Sequence, residues 1–256
     1  MFNDKVVILT GASAGIGATC ATRFASLNAK LALVGRNVDN LNNTAVKCEE
    51  ISGNKPLTIR ADISVEEDVS RIIEETIACY GRIDVLVNNA GFLIMAGYQS
   101  DASNLDKLMA TNVRGTYLLT QKAIPYLIEN KGNVVNISSV VSTVPIPNMM
   151  LYCMTKAALD MFTKCLAIEL APKGVRVNAV NPGPVNTNLF TRSGFSDAQN
   201  DYFINAVGSA IPMKKVPTSE DVAKLITFLA SDDAESITGT CNIIDCGLHL
   251  GNPANL

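Results

Sequence analysis

Val6-Val7-Ile8-Leu9-Thr10-Gly11-Ala12-Ser13-Ala14-Gly15-Ile16-Gly17 decides the fold of this chain. Residues 6–9 are a short, β-branched apolar run, the composition of a strand buried on both faces. A glycine-rich turn follows, and apolar residues then recur at helical spacing through Leu27. Strand, glycine turn and helix in that order make an anion cradle. Glycines let the backbone turn tightly and approach a pyrophosphate, and the first N–H groups of the helix have no partners within it. The spacing is Gly11-x-x-x-Gly15-x-Gly17, a departure from the common Gly-x-Gly-x-x-Gly.

Working outward, Leu31-Ala32-Leu33-Val34 reads as a second strand that ends at Gly35-Arg36-Asn37. An acidic residue here would accept the ribose 2′-hydroxyl of NAD. Gly35 has no carboxylate and the Arg36 guanidinium suits a 2′-phosphate, so NADP (as NADPH) is favoured, with NAD the alternative. Arg36 could also stack on adenine or face water.

Residues 57–62 read as a third strand ending in Asp62, and 66–80 as a helix with Val69, Ile72, Ile73, Ile77 and Tyr80 on one stripe. Residues 83–87 are a fourth strand running into Asn88-Asn89-Ala90-Gly91. A long helical region from Ser103 to about Glu129 is expected to break around Gly115 and again near Pro125. Residues 133–137 form a fifth strand closing at Ser138-Ser139, followed by a helix to about Leu170. A sixth strand at 176–180 precedes Asn181-Pro182-Gly183-Pro184; 219–230 is a helix and 240–245 a seventh strand.

Strands alternating with helices imply βαβ crossovers. The expected fold is α/β: a doubly wound parallel sheet of about seven strands with helices on both faces, in a single domain over residues 1–256. The exception is an excursion at about 185–216, which holds Leu189, Phe190, Phe195, Tyr202, Phe203, Ile204 and Val207, with Gly194 and Gly208 as hinges. An insertion at the carboxyl end of a strand is where α/β proteins place ligand-contacting elements.

The 256 residues are 48% apolar and 18% charged, with net charge −3. No Lys/Arg cluster stands out, which argues against nucleic acid or an anionic membrane as partner. No apolar run has membrane length and no signal-peptide pattern opens the chain, so a cytoplasmic address is expected. The seven cysteines include no Cys-x-x-Cys pair. Reduced, mostly buried thiols are expected, with neither a disulfide framework nor a metal site. His249, the only histidine, reads as structural or surface.

Tyr152 and Lys156 lie four apart, on one face of a helix. An ammonium about 4 Å from a phenol would favour phenolate by roughly 4 kcal/mol at an effective dielectric near 20. That is about three pKa units, enough to poise a tyrosine for proton transfer near neutrality. Read from the residues alone, Ser139 could simply end a strand, and Asn112 could satisfy backbone groups inside a helix.

In their order, these features resemble the classical short-chain dehydrogenases/reductases over nearly the full chain. Thr10-Gly11 through Gly15-Ile16-Gly17 resembles that family's cofactor turn, Asp62 its adenine-contacting acid, and Asn88-Asn89-Ala90-Gly91 its segment beside the cofactor. Asn112, in Thr111-Asn112-Val113, matches a catalytic asparagine. Ser139, thirteen residues before Tyr152, matches the catalytic serine, and Lys156 completes the set. Pro182-Gly183 and Thr187 resemble the segment flanking the nicotinamide, and Ile237-Thr238-Gly239 the turn before the last strand.

The resemblance implies a Rossmann-type enzyme that moves a hydride between a nicotinamide and a carbonyl or secondary alcohol. Asn112, Ser139, Tyr152 and Lys156 would be catalytic. Gly11, Ser13, Gly15, Ile16, Gly17, Arg36, Asp62, Asn89, Ala90, Gly91, Tyr152, Lys156, Pro182, Gly183 and Thr187 would hold the cofactor. Tyr152 would exchange the proton and Ser139 orient the reacting oxygen. Lys156 would lower the Tyr152 pKa and hold ribose hydroxyls, and Asn112, through its side chain or a distorted local backbone, would hold a water linked to Lys156. A dimer or tetramer is also implied, through the helices near 103–129 and 152–170 and the C-terminal segment.

Two departures stand out. Ala14 occupies a place where many NADP-dependent members carry a basic residue. Cys246 follows Asp245 where glycine is common, and reads as a packing variation. The excursion, residues 92–95 and the 145–150 stretch are apolar and suit a hydrophobic substrate: a steroid, an isoprenoid, a 3-oxoacyl chain or a xenobiotic ketone. The alternative is a non-catalytic regulatory or scaffold protein that keeps the fold; its usual mark, a lost tyrosine or lysine, is absent.

Overall fold

Successive side chains of β1 (Val6–Thr10) face opposite layers. Val7 and Leu9 join a core with α1 (Gly15–Ser26) and α9 (Ser219–Ala230), whereas Ile8 joins one with α3 (Glu66–Tyr80), α5 (Thr116–Glu129) and α6 (Met150–Leu170). The same alternation recurs in β2 (Lys30–Gly35) and in β5 (Asn133–Ile137). In the computed structural model, which describes residues 2–187 and 189–251, seven parallel strands run in the order β3-β2-β1-β4-β5-β6-β7. The remaining strands are β3 (Leu57–Arg60), β4 (Val85–Asn88), β6 (Arg176–Pro182) and β7 (Cys241–Ile244). The chain order reverses between β1 and β4. That switch opens a crevice at the carboxyl ends of the strands.

The structure differs from the sequence reading in three places. First, α2 (Val38–Ser52) fills a stretch with no apolar run. Its buried stripe is only Leu41, Ala45 and Cys48 with Thr44, but Asn37 caps it by accepting from Asn40 N and Gly53 ends it in a left-handed conformation. Second, the long helical region divides into α4 (Ala102–Met109), a π-helical turn at Ala110–Gly115 and α5, with no break at Pro125. Pro125 and Gln121, whose carbonyl loses its partner, are both exposed, so water can satisfy that carbonyl. Third, only Cys20 and Cys48 of the seven free cysteines are buried, while Cys79 and Cys165 are exposed. "Mostly buried" was therefore too strong.

The excursion after β6 forms α7 (Leu189–Arg192) and α8 (Asp197–Ala210), the latter opened by a Ser196/Gln199 capping box. Asn188 within it, together with residues 1 and 252–256 of the expected domain, lies outside the described residues. A third apolar cluster joins the excursion to the start of α6: Phe190 packs with Leu93, Val140, Met149, Leu151 and Tyr152. No described helix is long and apolar enough to cross a membrane.

Candidate active site

The glycine cradle lies between β1 and α1. Gly11 takes φ +67° and Gly15 φ +55°, the left-handed region that favours glycine. A Cβ on Gly11 would stand 2.7 Å from Asn89 Nδ2, and one on Gly17 would overlap the Gly11 carbonyl. Thr10 fastens this turn to the β4 loop. Its Oγ1 accepts from the main-chain N–H groups of Asn89 (3.0 Å) and Ala90 (2.9 Å), and Asn89 Nδ2 donates to the Thr10 carbonyl (2.9 Å). The N-cap of α1 is Ala14, which offers no side-chain cap. The first N–H groups of the helix are thus left for an anion in the cavity that Ala14, Gly15 and Ile16 line.

At the far end of the cradle Arg36 Nη1 lies 3.2 Å from Asp62 Oδ2, with the Arg36 side chain 69% exposed. Asp62 also accepts from the N–H and hydroxyl of Ser64, at 3.0 and 2.7 Å. Burial pushes the Asp62 carboxyl up, but the Ser64 hydrogen bonds and Arg36 together hold it below the usual carboxylate range.

Tyr152 and Lys156 project from α6 one turn apart and are 6% and 5% exposed. Lys156 Nζ donates to the Ile137 carbonyl at 2.7 Å and stands 5.5 Å from the Tyr152 ring centroid. A Cβ on Gly91 would come within 3.2 Å of Asn112 Oδ1 and 3.7 Å of Lys156 Nζ, so this loop passes the ammonium closely because residue 91 has no side chain. Burial lowers Lys156 to about 8, against the pull of Asp160. Burial pushes the Tyr152 phenol up, Cys153 adds to the rise, and a hydrogen bond with Ser139 opposes it. The expectation that Lys156 draws the phenol down is therefore not met in this arrangement. The ammonium is directed at a carbonyl, and low-dielectric surroundings disfavour phenolate.

Ser139 caps the short turn Val140–Ser142, accepting from Val141 N at 3.3 Å, and its hydroxyl lies 3.4 Å from the Pro182 carbonyl. Asn112 is 1% exposed and sits in the π-helical turn. Its Oδ1 accepts from Phe92 N (3.1 Å), and its Nδ2 donates to Phe92 O (3.0 Å) and Thr155 Oγ1 (3.2 Å). The side chain is thus engaged by protein partners. A π turn shifts the helical hydrogen-bond ladder by one residue and sets a carbonyl outside it.

One cavity of about 530 Å³ joins these parts. Of the expected site residues, Gly11, Ser13, Gly15, Ile16, Arg36, Asp62, Asn89, Ala90, Gly91, Ser139, Tyr152, Lys156, Pro182, Gly183 and Thr187 line it. Gly17 and Asn112 stand behind the wall and support it. The end beyond Ser139 and Tyr152 is walled by Val140, Val141, Ile146, Met149, Val185, Leu189, Phe190, Phe203, Val207 and Leu248. The rings of Phe190, Phe195 and Phe203 lie with centroids 4.8 to 6.1 Å apart. Among the described residues Lys156 is the only charged side chain lining that end.

The clamp by Thr10 and the wall formed by Leu248 were not foreseen. Thr10 stood in the quoted motif, but only the paired strand ends reveal what its hydroxyl holds; nothing local marks Leu248. His249 is structural, with Nδ1 2.9 Å from Asp245 Oδ2. Cys246 has φ +57°, so glycine would be favoured there for its backbone freedom, and the packing explanation is replaced by a conformational one.

A glycine cradle open to a helix N-terminus and continuous with a buried Tyr/Lys pair beside a half-buried serine defines a nicotinamide-dependent oxidoreductase, and the residues fit such a cofactor. Residues 11–249 match the family model described as enoyl-(acyl carrier protein) reductase. The chain is 39% identical over 252 residues to a glucose 1-dehydrogenase of Gluconobacter oxydans, covering 97% of this chain and 93% of the relative. It is similar to a Caenorhabditis elegans short-chain dehydrogenase/reductase of unknown function solved with cofactor: TM-score 0.95, 34% identity, 99% of this chain and 98% of that one. A 3-ketoacyl-(acyl-carrier-protein) reductase from Brucella melitensis complexed with NADH gives a TM-score of 0.86 at 34% identity, covering 96% and 98%. The chain belongs to the short-chain dehydrogenase/reductase family, oxidoreductases that act on CH–OH and C=O groups with a nicotinamide cofactor.

Proposed function

We propose that this enzyme interconverts a hydrophobic ketone and its secondary alcohol, with NADP(H) preferred. When bound, the nicotinamide cofactor supplies or takes the hydride. Tyr152 gives its hydroxyl proton to the developing alkoxide in reduction and takes it back in oxidation. Ser139, hydrogen-bonded to Tyr152, donates to the reacting oxygen and orients it. Lys156 provides positive charge beside both, and the Asn112 turn links Lys156 to water. The residues expected to hold the cofactor keep that role in this reading, with Arg36 meeting the 2′-phosphate once it exchanges Asp62 for the stronger anion. A cytoplasmic address and a dimer or tetramer belong to the same reading.

The observation that carries the substrate class is the apolar far end of the cavity. A sugar, as the name of the Gluconobacter relative suggests for that enzyme, presents several hydroxyls; leaving them unpaired against Val, Leu, Ile, Met and Phe would cost about 1–3 kcal/mol each. A carboxylate would find only Lys156. The test is turnover of a panel of apolar ketones, 3-oxoacyl thioesters and aldoses with each cofactor. Reduction of apolar ketones with NADPH at higher kcat/KM than any aldose supports the reading, and a sugar preference sinks it.

A further inference from the structure

Among the described residues, the buried Asp, Glu, Lys and Arg side chains are Asp84, Lys156, Asp160 and Asp245. Two of these are matched at contact distance. Asp84 pairs with Arg82 (2.6 Å) and Lys5 (3.6 Å). Asp245 accepts from the N–H groups of Gly247 (2.9 Å) and His249 (2.7 Å) and faces His249 Nδ1. Asp160 and Lys156 have no oppositely charged contact partner. The Asp160 carboxylate accepts from Asn181 Nδ2, at 2.8 and 3.1 Å, and Lys156 donates to a main-chain carbonyl.

The two stand at i and i+4 on α6, so they share a face one turn apart. A buried carboxylate held only by an amide is costly unless an opposite charge acts on it through the low-dielectric interior. Asp160 is also the one charged group whose field opposes the burial of Lys156. The amide that holds it reaches further. Asn181 Nδ2 lies 3.2 Å from the Ser139 carbonyl and 3.0 Å from Ser142 Oγ. Carboxylate, amide and the main chain of Ser139 therefore form one connected group behind the site.

We propose that Asp160 is a positioning residue of the reaction: its carboxylate is the counter-charge of the Lys156 ammonium, and through the Asn181 amide it fixes the main chain that presents the Ser139 hydroxyl. The catalytic consequence rests on the hydride-transfer reading above; the counter-charge does not. Lys156 is faced by Tyr152 and Asp160 on its own helix, by Asn112 from the π-helical turn, by Gly91 from the β4 loop and by Ile137 from β5. Of these only Tyr152 and Asp160 carry titratable side chains. Cys153 beside Tyr152, and Cys241 of β7, whose Sγ is 4.0 Å from the Asp160 carbonyl, are the next titratable groups.

The experiment compares wild type, Asp160→Asn and Asn181→Ala. The Lys156 ammonium is followed by NMR in protein labelled with [ε-13C]lysine, its signal assigned by its loss in Lys156→Arg. Removing the carboxylate charge moves the Lys156 titration to lower pH by about one unit, whereas Asn181→Ala, which keeps the charge, moves it less. In turnover, the alkaline limb of the kcat profile for ketone reduction shifts down with the same titration in Asp160→Asn. In Asn181→Ala, kcat falls about tenfold with cofactor KM unchanged. An unmoved Lys156 titration in a folded Asp160→Asn protein overturns the proposal. So does a loss of activity uniform across pH that follows thermal stability alone. If the wild type turns over no carbonyl, the function above fails while the NMR titration still decides the counter-charge.

Discussion

The two ends of the cavity use charge in opposite ways. At the adenosine end Arg36 and Asp62 meet in the open, and an exposed pair of this kind is worth only about 0–1 kcal/mol. At the reacting end Lys156 is 5% exposed, and burial moves its titration from 10.5 to about 8 against the opposing field of Asp160. An exposed pair can be exchanged for a ligand phosphate at small cost, which suits the proposed role of Arg36 in cofactor choice. A buried charge cannot be exchanged in this way, which suits the proposed role of Lys156 in proton transfer. The backbone divides the same way. Left-handed residues in the cradle are the glycines Gly11 and Gly15, whereas around the reacting end Gly194 and Gly247 are joined by Asn148 and Cys246, which carry side chains.

The largest effect should come from removing the group proposed to exchange a proton with substrate. Tyr152→Phe keeps the ring in the apolar cluster around Phe190 and Met149 and loses only the hydroxyl. Turnover should fall about 10²- to 10⁴-fold, with cofactor affinity by fluorescence titration unchanged. Near-wild-type turnover would remove the reacting end from the comparison altogether.

A thermodynamic measurement sharpens the same contrast. The folded-state pKa of Lys156 lies below its unfolded value, so between about pH 8 and 10.5 the unfolded chain binds the extra proton and stability rises with pH. Below that window the charged, buried lysine is a full burden, of about 3 kcal/mol for a fall from 10.5 to about 8. In urea unfolding, wild type should therefore gain on Lys156→Met by up to about 3 kcal/mol from pH 7 to pH 10. A flat difference for Lys156 would mean that the two ends do not differ as burial implies.

How far the sequence foretold this contrast depended on distance along the chain. β1, the glycine turn and α1 are local, and their period and glycine spacing were readable directly. The Tyr152/Lys156 face was readable from helical spacing. The state of that pair was not: it depends on Ile137 from β5, Gly91 from the β4 loop and Asp160 one turn on, contacts made only when the sheet assembles. α2 escaped because its stripe is carried by Thr, Ala and Cys with a single leucine, too weak a pattern beside the strands that flank it. The Arg36–Asp62 pair escaped because the two residues were assigned to different ligand groups, although their strands are neighbours in the sheet.

At the exposed end, Arg36→Ala should cost NADPH about tenfold in KM and leave NADH within about twofold, roughly the value of one charge-assisted contact in water. The NADPH penalty should shrink as salt is raised from 50 to 500 mM, because the wild-type advantage is itself screened. An unchanged cofactor ratio would show that Arg36 serves Asp62 alone.

The smallest effect tests the backbone half of the contrast. Cys246 holds φ +57° between Asp245, whose carboxylate is tied to Gly247 N and His249, and Gly247, where an added Cβ would come within 3.0 Å of Pro212. A left-handed conformation costs a residue with a side chain about 1–2 kcal/mol. Glycine removes that strain and returns about 0.5–1 kcal/mol of it as extra freedom of the unfolded chain. Cys246→Gly should therefore be more stable than wild type by about 0.5 kcal/mol in urea unfolding at pH 7. Leu248, two residues on, lines the substrate end of the cavity. If the strain serves only to complete the turn, KM for the ketone stays at the wild-type value. If the cysteine backbone braces the wall at Leu248, the same variant gains stability and loses substrate affinity together, and strain at the reacting end acquires a functional reason that the glycines of the cradle do not have.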